Sequence, residues 1–207
     1  MKRFTFLTAL AMVGALLLVG TPVWADIVGT AHDFSNKNWN PTGEICVVCH
    51  TPHNADTSVS QAPLWNHEVT AATFTPYTSA TLDATTGQPN GVSKLCLSCH
   101  DGTVAIDNFG GTTNGTHFIS GGEKLGTDLT NDHPVSFTYD TALSTADGEL
   151  FDPATHPSSL GGTIADDLLI GGKVECASCH DVHGTPNDHL LLIDNAGSAL
   201  CLTCHDK

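Results

Sequence analysis

Four copies of Cys-x-x-Cys-His lie in a chain of 207 residues: Cys46-Val47-Val48-Cys49-His50, Cys96-Leu97-Ser98-Cys99-His100, Cys176-Ala177-Ser178-Cys179-His180 and Cys201-Leu202-Thr203-Cys204-His205. Little else in the sequence can build an interior. From Asp107 to Gly122 and from Thr141 to Gly162 apolar residues are isolated, and neither helical nor strand periodicity persists. Whatever the cysteines hold must do part of the work of a core.

The motifs come in pairs, and the pairs repeat. The first reads ICVVCHTPHNA and then SKLCLSCHDGT; the second reads ECASCHDVHGT and then SALCLTCHDK. Each leading motif has a second His three residues on, and each closing motif reads Leu-Cys-Leu-x-Cys-His-Asp. This divides the chain into residues 26–107, a first doubled unit with an insertion at 57–92; 108–172, a loop-rich connector carrying His133; and 173–207, a second doubled unit.

Each motif reads as a c-type haem attachment site. Its two thiols, Cys46 and Cys49, Cys96 and Cys99, Cys176 and Cys179, or Cys201 and Cys204, add to the haem vinyl groups, and the adjoining His50, His100, His180 or His205 becomes the proximal iron ligand. Four haems follow. Zinc is the nearer alternative, because Cys176-x-x-Cys179 and Cys201-x-x-Cys204 are spaced much as in a zinc ribbon, but it leaves the His after every pair unexplained. Disulfides closed within Cys-x-x-Cys would be strained.

Both Met residues, Met1 and Met12, lie in the leader described below, so His/Met ligation is excluded and bis-His ligation remains. His53 and His183 are the leading distal candidates: each recurs three residues after a motif His and can reach the iron of a neighbouring haem. His133 and His32 lie upstream of the second and first units, and His67 follows Pro63-Leu64-Trp65-Asn66, where Trp and Leu can cover a haem face. These five stand for four places. His117, His156 and His189 read as surface or loop residues.

Residues 1–25 read as a signal peptide: Lys2 and Arg3, an apolar run from Phe4 to Gly20, and a small residue at Ala25. The expected product is exported to the periplasm or the cell exterior and has no membrane span after signal removal. Loss of Lys2 and Arg3 takes the formal charge from −15 to −17 and leaves no Arg. Such acidity argues against nucleic acid and favours basic redox proteins, other cytochromes or cationic mineral surfaces as partners.

The expected fold is that of a multihaem cytochrome c: mostly irregular chain, short helices at the motifs, few short strands, and a core formed by four covalently bound haems. Thr73–Leu82 and Pro134–Tyr139 are the strand candidates, the first weakened by Pro76. Loops this long need a cofactor or a function to support them.

Residues 173–205 resemble the doubled CXXCH unit of multihaem cytochromes. EICVVCHTPHNA, APLWNH, KLCLSCHDGTVAID and NDHPVSFTYD resemble segments of outer-surface tetrahaem cytochromes of metal-respiring bacteria, of the OmcE nanowire type. The resemblance implies bis-His haems, sparse secondary structure and homopolymeric filaments in which one axial His comes from the neighbouring subunit. His32, near the start of the exported chain, is the expected donor. An extracellular metal acceptor is implied with it.

Electron transfer is the expected function, and the chain is expected not to be an enzyme. The alternatives are a soluble periplasmic multihaem carrier and a subunit of a multihaem reductase. A reductase needs an open iron and cationic side chains to hold an oxyanion, whereas every motif here ends in His.

Overall fold

The computed structural model describes residues 27–207; the signal-peptide reading falls outside them. The described chain is mostly turns and loops. Its regular elements are α1 (Gly91–His100), β1 (Phe137–Thr138), α2 (Thr141–Asp147), α3 (Ile164–Asp167), β2 (Lys173–Val174) and α4 (Ala199–Cys204), with short 3-10 turns between some of them. No described helix is long and apolar enough to cross a membrane.

The four motifs share one local geometry. The N–H of His50, His180 and His205 donates to the carbonyl of the first Cys of its motif, at 2.8, 3.1 and 3.0 Å, and the second motif lies within α1. One helical turn therefore brings both thiols and the ring of each motif together. α1 buries Leu95 and Leu97 and closes at Gly102, whose φ of +73° turns the chain out of the helix.

The strand candidates shrink on inspection. Only Phe137–Thr138 of Pro134–Tyr139 is strand, paired antiparallel with Lys173–Val174 in the register Phe137↔Val174. In Thr73–Leu82 only Thr75 bridges, to Asp128, because Pro76 directly after it has no N–H to continue a ladder.

The largest difference from expectation lies in residues 108–172. They supply most of a side-chain core, Phe137, Tyr139, Ile164, Leu168 and Val174, against which Leu150, Phe151, Leu192, Ile193 and Cys204 pack. Two capped helices support it. Asp140 accepts the N–H of Leu143 at 2.9 Å to start α2, and Thr163 and Asp166 cap α3 reciprocally. The apolar residues are dispersed in sequence because they arrive from turns rather than from one periodic element. The Tyr139 hydroxyl donates to the Phe151 carbonyl at 2.6 Å, with the Cys204 carbonyl 3.3 Å away. The core thus backs directly onto the fourth motif.

Ile164 is fully buried here. Ile164→Ala should destabilise the protein by about 2–5 kcal/mol, measurable as a lower denaturant midpoint in equilibrium unfolding.

Candidate haem-binding site

A histidine that ligates a metal through Nε2 needs its Nδ1–H held elsewhere. Three of the four motif histidines have that arrangement. His50 Nδ1 lies 2.7 Å from the Pro63 carbonyl, His100 Nδ1 2.7 Å from that of Glu123, and His180 Nδ1 2.9 Å from that of His189. Each carbonyl fixes the tautomer and leaves Nε2 open. Sequence reasoning missed these three residues, since a main-chain acceptor carries no side-chain signature.

Three motif rings each face a second imidazole. His183 stacks on His50 with centroids 6.2 Å apart and planes 15° from parallel; His32 lies 6.1 Å from His100, and His133 6.5 Å from His205. Two metal–imidazole bonds of ~2 Å each, with half a ring at either end, span about 6 Å. The three pairs match the spacing of two imidazoles on one metal. His180 is exposed and forms no such pair among the described residues.

The two His that recur in the repeats part company. The Asp181 carboxylate holds His183, accepting from its N–H at 2.9 Å and lying 3.0 Å from Nδ1. The first repeat has Thr51 at the corresponding position, and its hydroxyl donates to the His53 carbonyl at 2.9 Å without touching the ring. His53 is exposed on the wall of an open cleft of about 890 Å³, shared with Trp65, Lys94 and Thr112. Trp65 Nε1 is buried without a partner, and the Trp65 ring meets that of His50 edge-on.

His67 stands beside the second motif, its Nε2 3.5 Å from Cys99 Sγ. It is buried, with Nδ1 2.8 Å from the Glu68 carbonyl and Nε2 3.0 Å from that of Ala105, so both nitrogens face main-chain acceptors. His32 is half-buried and lies beside the motif histidine His100. Burial, then His100, His180 and His183 beside it, push its pKa down to about 4, and its Nδ1 is buried and unpaired.

The remaining histidines have other surroundings. His156 stacks on Phe151 at 3.7 Å, while His189 contributes its carbonyl to His180. His117 Nδ1 lies 3.0 Å from Asp107 Oδ2.

No disulfide joins any two of the eight cysteines. Burial pushes Cys49 and Cys204 up to about 11 and Cys99 up to about 12, with Cys46, Cys179 and Cys49 respectively adding to it. Among the described residues no three His, Cys, Asp or Glu side chains gather as a zinc site requires. Oriented proximal rings, opposed imidazoles and an unpaired indole N–H fit haem better.

Residues 170–207 match the family described as the doubled CXXCH motif. The match supports a multihaem c-type cytochrome, with c-type haem bound covalently at the CXXCH motifs and electron transfer as the function. A comparison with curated proteins finds no match.

At Asp107, burial opposes ionisation, but hydrogen bonds from the His117 ring and the N–H groups of His117 and Thr116 outweigh it and hold the carboxyl at about 2, below its ordinary 3.8. The stabilisation this gives is present above the ordinary value and lost as pH falls through ~4 towards 2. Asp107→Asn should therefore show a shallower loss of stability across that window, followed by circular dichroism.

Proposed function

We propose that the chain is an exported tetrahaem c-type cytochrome that carries electrons at four bis-His sites and assembles with copies of itself into a filament. The three opposed imidazole pairs carry this reading. They support His50 with His183, His100 with His32, and His205 with His133 as axial sets, each spanning residues distant in sequence. When bound, the haems supply one-electron centres whose low potentials follow from two imidazole ligands and acidic surroundings.

The protein's part is orientation. The carbonyls of Pro63, Glu123 and His189 keep Nδ1–H engaged, which raises the donor strength of Nε2 and stops the rings from turning. Bis-His closure leaves no position for a substrate and favours electron transfer over catalysis. The absence of Arg from residues 27–207 leaves no guanidinium to hold an oxyanion, which points the same way.

The fourth site supports the filament. His180 is exposed with Nε2 free, and His53 is exposed beside an open cleft. Donation of His53 to the His180 site of a second copy would complete four sites per subunit and join subunits head to tail. The donor proposed is thus His53 rather than His32. Export to the periplasm or cell exterior, basic redox proteins as donors, and an extracellular metal acceptor complete the reading.

Two substitutions test it. His183→Ala should leave one haem in four high-spin, that at Cys46 and Cys49, read by electron paramagnetic resonance; four low-spin haems would refute the pairing. His53→Ala should retain four haems by intact mass but yield single subunits by electron microscopy, with one high-spin site. Filaments indistinguishable from the parent would refute His53 as the bridging ligand, and a parent that itself stays as single subunits would leave a soluble carrier as the better reading.

A further inference from the structure

One buried acidic side chain has no part in the sites above. Glu175 directly precedes Cys176 and is 1% exposed. Its Oε2 accepts the hydroxyl of Ser93, the N–H of Ser93 at 3.3 Å and the hydroxyl of Ser136 at 2.9 Å. Each group on Oε2 is able to donate to it, the surroundings that favour an ionised carboxyl. Its Oε1 is buried with no partner. The room for it comes from Gly91, where a Cβ would stand 3.1 Å from Oε1.

The network joins the two repeats. Ser93, itself fully buried, lies in the first turn of α1, which carries the second motif, and its hydroxyl also accepts the N–H of Cys176 at 2.9 Å. The N–H of Glu175 donates to Ser178 Oγ at 2.9 Å, inside the third motif. Asn90, before α1, donates its N–H to Ser136 Oγ at 3.0 Å. Where these segments meet, α1 packs against the turn Cys176–Ser178 that opens the third motif.

Placing a carboxylate in such a site is costly, and three donors on one oxygen with none on the other repay the cost only in part. A spacing requirement alone would be met by a neutral side chain of the same shape. What a carboxylate adds is a negative charge in a low-dielectric position between two attachment sites. There it opposes the arrival of an electron far more strongly than the exposed acids on the surface do.

The geometry points to Glu175 as a positioning residue that sets the separation of the second and third haem sites and, by its charge, lowers the potential of that pair below the outer two. The inference rests on the tetrahaem reading. Electrons crossing between the repeats would then meet a step in potential at the junction of α1 and the third motif, fixed by Ser93 and Ser136.

The test compares wild type with Glu175→Gln, which keeps the shape and removes the charge, by intact mass and by spectroelectrochemical titration. Wild type with fewer than four haems would fail the functional reading rather than this inference. Given four haems in both proteins, about half of the titration amplitude should move to higher potential in Glu175→Gln and the rest should stay. Superimposable curves, or a uniform shift of the whole curve, would overturn the proposal. If Glu175→Gln fails to retain haem, Ser136→Ala takes its place, since it withdraws a donor but keeps the charge. The same half should then move to lower potential, and an unchanged curve would again overturn the proposal.

Discussion

The hydrogen bond from each motif histidine's N–H to the carbonyl of its first cysteine closes one helical turn, and the rest of the structure is arranged around those turns. The bond survives in very different settings: within α1 at His100, after a 3-10 turn at His180, and in a plain turn at His50. A motif therefore needs no long helix. It needs one turn, and at three of the four a distant main-chain carbonyl then holds Nδ1. Pro63 lies 13 residues from His50 and Glu123 lies 23 from His100, so the loops that deliver those carbonyls must themselves be held in place.

Side chains returning to their own backbone do much of that holding. The carboxylates of Asp33, Asp101, Asp128 and Asp152 each accept the N–H two residues on, from Ser35, Thr103, Thr130 and Ala154. These turns replace the ladders that a sheet would provide. The acidity of the sequence is thus partly architectural: an Asp at the start of a turn fixes backbone where helix and strand are absent. Asp101 shows the step from local to global order, because its carboxylate, 2% exposed, also accepts from Thr70 across 31 residues.

What was legible in the sequence follows from this division. Short-range chemistry was readable: the motif turns, the duplication, and the scarcity of regular structure all rest on neighbours within a few residues. His183 and His53 could be singled out by their shared offset, but not the difference between them, since Asp181 orients one ring and Thr51 leaves the other free. His67 carried a ligand's residue type and sequence context, but nothing in the sequence places the Ala105 carbonyl, 38 residues away, 3.0 Å from its Nε2. The core of Phe137, Ile164, Leu168 and Val174 was hidden for a related reason. It is assembled from turns, so no periodicity announces it.

The polar interior and the apolar core serve the same end from opposite sides. Around the junction of the repeats, Ser93, Ser136 and Glu175 pack by directional bonds that admit one geometry; around the fourth motif, Phe137, Tyr139 and Leu168 pack by area and tolerate more adjustment. Electron transfer between fixed centres depends on separation more than on chemistry performed by side chains. The second and third motifs come from different repeats, with no short stretch of chain to set their distance, and that is where the directional network sits. The first and second motifs, also well separated in sequence, are instead joined through residues 66–67: the Asn66 N–H donates to the Cys49 carbonyl at 3.0 Å, and His67 lies between Ala105 and Cys99. His67 is in this respect part of the frame, a buried ring with one N–H to donate and main-chain carbonyls beside both nitrogens.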